Sequence, residues 1–121
     1  MLHKSGIYQN LVVWQKAMDF VVSLYKLTEA FPESERFGLS SQLRRAAVSV
    51  PSNIAEGYRR RSSGDFARFL RIAYGSASEL ETQLEIARRL GYGDPDERRR
   101  ARALLTEVLR MLNRFLETIS V

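Results

Sequence analysis

Catalytic chemistry is hard to assemble from the side chains of this sequence. Its one histidine, His3, stands near the start, and there is no cysteine. A histidine general base and the Glu-x-x-His ligation of di-iron helical bundles are therefore unavailable. Thiol nucleophiles, thiolate metal sites and disulfides are absent as well. Glu81 and Glu85 stand one helical turn apart, and Asp94, Asp96 and Glu97 are close in sequence. Either group could hold a cation, but a solvated helix face and the acidic start of a helix explain them more simply. A helical pyrophosphohydrolase would need carboxylate quartets at tighter spacing, and Gly91-Tyr92-Gly93 is too short for a phosphate-cradling loop. The reading is a protein that is not an enzyme, with no catalytic residue, metal or cofactor.

Binding chemistry is better supplied. The 19 Lys and Arg outnumber the 14 Asp and Glu, giving a net charge of +5 and a pI near 10.0. Arginine supplies nearly all of this positive charge, and its planar fork suits phosphate. Candidate phosphate contacts are Arg44, the triplet Arg59, Arg60 and Arg61, and the group Arg98, Arg99, Arg100 and Arg102. The partner class this favours is RNA or DNA, held with little base readout. A second reading is a scaffold that docks a partner protein, its arginines serving solubility. No apolar run approaches the roughly 18 residues of a membrane span, and no signal-peptide core stands in the first ten residues, so a cytoplasmic location without membrane contact is expected.

Four helices must position these groups. With 121 residues, 45% of them hydrophobic, the chain suits one domain, and such a domain buries about two-thirds of its unfolded surface. Residues 1–10 read as a tail and 11–121 as the domain. Helix one is expected from an Asn10 N-cap to about Phe31, stopped by Pro32. Its apolar residues occupy two rows, more than one core-facing stripe needs. The row with Val13, Ala17, Phe20 and Leu24 is the candidate subunit contact. Helix two runs from between Pro32 and Leu39 to about Arg60, kinked at Pro51 or broken around Val50-Pro51-Ser52. Helix three starts at a Ser62/Asp65 capping box, spans Ser63 to Leu90 and stops at Gly91 and Gly93. Helix four opens with Asp94-Pro95-Asp96-Glu97, a cap, a first-turn proline and acidic residues against the helix dipole. Short connections imply an all-α, antiparallel up-down-up-down four-helix bundle.

If helices two and three form a hairpin turning near Ser62, Arg45 lies opposite Glu79, Glu56 opposite Arg68 and Ser49 opposite Gly75. Gly57 and Gly75 then become points of close backbone approach, worth the roughly 1 kcal/mol that each costs inside a helix. On this reading Arg45, Asn53, Glu56, Gly57, Arg68, Gly75 and Glu79 are structural.

Several segments carry a family resemblance. They are Leu11-Val12-Val13-Trp14-Gln15-Lys16-Ala17, Phe31-Pro32, Gly38-Leu39, Gln42-Leu43-Arg44-Arg45-Ala46, Ser49, Asn53-Ile54-Ala55-Glu56-Gly57, Phe69-Leu70, Gly75-Ser76, Glu79-Leu80 and Thr82-Gln83-Leu84. In order and spacing this set resembles the four-helix proteins encoded in bacterial 23S rRNA intervening sequences. The resemblance implies a ring-like homopentamer. It extends to accessory proteins of diversity-generating retroelements, which bind nucleic acid and a reverse transcriptase. The arginines of helix four lie outside the resemblance and rest on charge alone.

Overall fold

A computed structural model describes residues 7–119; His3 and the last two residues of the expected domain lie outside it. The described residues form four α-helices and no strand: α1 (Val12–Thr28), α2 (Leu39–Tyr58), α3 (Ser63–Leu90) and α4 (Pro95–Ile119). Each packs against two others, α1 and α3 both lying against α2 and α4. The shared core is built from Phe20, Leu24, Leu43, Ile54, Phe66, Leu70, Leu80, Leu105 and Leu112, all of them closed to solvent. None of the helices is both long and apolar enough to cross a membrane, among the described residues.

Helix starts follow their capping chemistry, with one exception. Ser62 Oγ accepts the Asp65 amide at 3.0 Å, and Asp94 Oδ2 accepts the Glu97 amide at 3.0 Å, satisfying donors that the first turns of α3 and α4 leave free. Asn10 does not cap α1. It ends a short 3-10 turn, Tyr8–Asn10, whose own bonds include Asn10 N–H to the Ile7 carbonyl. That turn puts Leu11 at the cap position, and it also packs Tyr8–Asn10 onto α1 and α2, where a tail was expected. α1 ends at Thr28, before Phe31. The Thr28 hydroxyl donates back to the Leu24 and Tyr25 carbonyls, competing with helix continuation.

α2 begins where Glu35 Oε1 accepts the Leu39 amide at 3.0 Å, a cap supplied from the preceding loop. It passes through Pro51 as one helix, so the break is not realised; Pro51 is buried in the packing. Gly91, at φ 72°, closes α3, and the Tyr92 amide reaches back to the Ala87 carbonyl.

Three packing expectations need correction. Val13, Ala17, Phe20 and Leu24 are at most 4% exposed, so they fill the chain's own core and present no surface to a subunit. The exposed apolar residues of α1 are Val12, Met18, Val22 and Tyr25. The hairpin register is near the expected one, Ser49 meeting Ser76 at 2.9 Å beside Gly75, but its ion pairs do not form. Glu56 binds Arg60, Arg68 binds Asp65, and Glu79 accepts a hydrogen bond from Gln83. Partners within one helix turn hold these side chains more cheaply than partners across the seam. Finally, a Cβ on Gly57 would lie 2.7 Å from Phe69 Cβ, whereas one on Gly75 meets nothing within 4 Å. Gly57 is a close approach and Gly75 is not.

Candidate nucleic-acid interface

The end of α2 and the start of α3 hold the triplet Arg59–Arg61. Two of them, Arg59 and Arg60, do not simply project into solvent. The Arg59 guanidinium lies over the Tyr8 ring, 5.0 Å from its centroid, and Tyr8 meets Trp14 edge-on at 5.3 Å. Arg60 lies 4.7 Å from the Phe69 centroid and pairs with Glu56 at 2.7 Å. Arg68 lies over the same Phe69 ring at 4.5 Å and reaches Asp65 at 4.0 Å. Asn53 Nδ2 donates to the carbonyl and the hydroxyl of Ser49, tying the hairpin seam below the turn. Between Glu56 and Arg71 five arginines face two carboxylates, and both carboxylates are already engaged. Arg59, Arg61 and Arg71 have no acidic partner among the described residues, and all three are exposed.

Arg44 stands apart from this turn, at the opposite end of α2. Fifteen residues separate it from Arg59, about 22 Å along a helix. Its Nε donates to Thr28 Oγ1 at 2.8 Å, and its guanidinium covers the Tyr25 ring at 4.4 Å. It thereby lines a groove of about 650 Å³ between α1 and α2, with Phe37, Arg45 and Val48. Arg45 is exposed there.

The helix-four arginines form a third setting. Arg98 donates to the Tyr92 and Gly93 carbonyls at 2.7 and 3.0 Å, bracing the α3–α4 loop, and Arg99 is paired with Asp96. Arg102 approaches Glu85 at 3.6 Å, and Glu85 also binds Arg88 at 2.7 Å and Arg89 at 3.0 Å. Hydrogen bonds from Arg88 and Arg89 hold the Glu85 carboxyl down at about 2. Arg100 alone of the group lacks a partner among the described residues, and it borders the α1–α4 groove. The structure therefore does not gather Arg44, Arg59–Arg61 and Arg98–Arg102 into one surface. Sequence reasoning overlooked Arg71, which follows the triplet on α3, and Tyr8 and Phe69, whose rings carry the guanidinium groups.

Of the acidic residues weighed as cation sites, Glu85, Asp94, Asp96 and Glu97 are engaged elsewhere. Asp94 caps α4, Glu97 meets Lys26 at 3.6 Å across α1, and no cluster of three acidic, histidine or cysteine side chains suited to a metal occurs among the described residues.

Known proteins place the chain more narrowly. The family model for the 23S rRNA-intervening sequence protein matches residues 9–114. Among solved structures, the chain is similar to a Bacteroides thetaiotaomicron protein of unknown function from the S23 ribosomal protein family. The two are 29% identical and superpose with a TM-score of 0.79 over 88% of this chain and 96% of that one. No curated protein matches. With its four helices and a match that runs over nearly all of the described residues, the chain belongs to the 23S rRNA-intervening sequence protein family.

Proposed function

We propose that this protein is a non-enzymatic nucleic-acid-binding module that holds RNA or DNA by phosphate contacts at the α2–α3 turn. The observation that carries the reading is the charge surplus there: Arg59, Arg61 and Arg71 exposed and without an acidic partner among the described residues, in a stretch of five arginines and two carboxylates. Unneutralised guanidinium groups favour a polyanion, and binding of this kind tolerates any sequence.

Self-association raises the affinity of one weak cluster. The contacts Lys16–Glu107 and Lys26–Glu97, and Ser49–Ser76, fit an antiparallel up-down-up-down bundle. Two separate faces of that bundle expose apolar side chains. One carries Tyr25, Phe37 and Val48 on the α1–α2 side, the other Ile72, Ile86 and Leu90 along α3. Two unlike faces support a head-to-tail contact, which closes into a ring when the rotation between subunits allows. The ring proposed is a homopentamer, repeating the arginine turn on one rim and adding avidity. The same faces support the second reading, a scaffold docking a partner enzyme such as the reverse transcriptase of a diversity-generating retroelement.

Titration with RNA and DNA over a range of salt separates the two readings. Phosphate binding gives an affinity that falls steeply and linearly with the logarithm of salt. No binding even at low salt leaves the scaffold. Light scattering tests the ring, and a monodisperse monomer at micromolar concentration would remove it.

A further inference from the structure

Three arginines of the α2–α3 turn, Arg59, Arg60 and Arg68, lie over aromatic rings, an arrangement that phosphate binding alone does not require. Arg59 and Arg60 are consecutive, yet their guanidinium groups cover rings from different elements, Tyr8 before α1 and Phe69 on α3. Tyr8 and Trp14 are half-buried while Arg59 is exposed, so the guanidinium lies outermost over the Tyr8 ring, which Trp14 braces edge-on from within. On the other side Phe69 carries both Arg60 and Arg68, and the missing Cβ of Gly57 lets that ring seat against α2.

Flat, cationic and aromatic layers suit the face of a base. Nucleobases stack on aromatic rings and on guanidinium planes, but only when they are not already stacked inside a duplex. A duplex offers this turn its phosphates alone. A single strand offers phosphates and open base faces together.

We propose that the α2–α3 turn is a stacking platform for single-stranded nucleic acid, with a base laid on the Arg59 guanidinium above Tyr8 and a neighbouring phosphate on Arg61. The platform rests on the phosphate-binding reading and narrows it to strands with unpaired bases. Tyr8 is a positioning residue, since its ring lies beneath the Arg59 guanidinium and does not itself meet the ligand.

Trp14 is the single tryptophan of the chain and stands against Tyr8, so its fluorescence reports on the stack. The full-length protein is titrated at one low salt concentration with a single-stranded RNA dodecamer, the single-stranded DNA of the same sequence, and the DNA duplex. Either single strand is expected to bind at least about fivefold more tightly than the duplex and to change the Trp14 emission. Tyr8→Ala is expected to weaken single-strand binding by about fivefold or more while leaving the salt slope unchanged, and Tyr8→Phe to restore it. Tyr8 lies outside the four helices, and an unchanged far-ultraviolet dichroism spectrum confirms that the variant folds. Equal binding of duplex and single strand with silent Trp14 emission overturns the platform and leaves phosphate binding standing. So does a Tyr8→Ala variant that binds like the parent. No binding of any of the three probes overturns both.

Discussion

Two turns of this molecule are rich in arginine, and they are not alike. From Glu56 to Arg71 five arginines face two carboxylates; from Glu79 to Arg102 six arginines face six. In the second region Glu85 gathers three guanidinium groups, Asp96 takes Arg99, and the carbonyls after α3 take Arg98. Those carbonyls lie at the negative end of a helix dipole, which suits a cation without any ligand. In the first region the acids run out before the arginines do. A run of arginines therefore indicates a binding surface only after the acids that the fold returns to it have been subtracted.

The largest effect is expected where the α2–α3 turn is packed most tightly. Gly57→Leu drives a side chain into Phe69 and the Phe66 carbonyl, and it should cost about 3 kcal/mol, read from urea unfolding. Gly75→Ala is its counterpart in open space and should stabilise by about 0.5–1 kcal/mol, because only helix propensity changes. Equal losses at the two glycines would mean that the hairpin is packed otherwise.

On the α3–α4 side, the Tyr92 hydroxyl donates to Glu35 at 3.1 Å, joining the loop after α3 to the residue that caps α2. That bond, with burial, raises the phenol above its usual 10. Tyr92→Phe should lower the unfolding midpoint slightly, and no change in it would show the clasp to be idle.

A smaller effect on stability, but a sharper one on the comparison, is expected from Glu85→Gln. The Glu85 carboxyl is lowered from 4.5 to about 2, so its contribution is complete above 4.5 and is lost as the pH falls through about 2. The variant lacks that contribution, and its stability should fall less steeply between those two values. At neutral pH it also unbalances the region, freeing Arg88, Arg89 and Arg102, and should give the α3–α4 side a phosphate affinity that the parent lacks. A Glu85→Gln variant with the parent's binding would show that the carboxylate is not what keeps this region silent.

The helices were legible because capping chemistry is local. Ser62, Gly91 and Asp94 mark their boundaries by side chains that act within one turn of themselves. Asn10 misleads because a competing 3-10 turn uses its backbone, and nothing in its own side chain signals that. The apolar row of α1 was legible as apolar, but periodicity alone does not say which of two rows the core takes. The α2–α3 register was read to within about one residue, yet its ion pairs were not, since each charged residue had a rival partner three or four positions away. At the candidate site, the triplet Arg59–Arg61 was visible as composition. The placing of Arg59 on Tyr8 and Arg60 on Phe69 was not, because Tyr8 arrives from before α1 and Phe69 from the facing helix of the hairpin.

The most direct measurement compares two triple variants by the salt dependence of binding to a single strand. Arg59→Gln/Arg61→Gln/Arg71→Gln should reduce the logarithmic slope by about 1.4, at roughly 0.7 for each of the two phosphates that Arg61 and Arg71 no longer neutralise. Arg98→Gln/Arg99→Gln/Arg102→Gln removes as much charge and should leave the slope nearly unchanged, because those guanidinium groups are already engaged within the fold, Arg98 by the loop carbonyls and Arg99 and Arg102 by carboxylates. Equal reductions in the two variants would mean that net charge alone governs binding, and a reduction only in the second would place the interface at the α3–α4 turn.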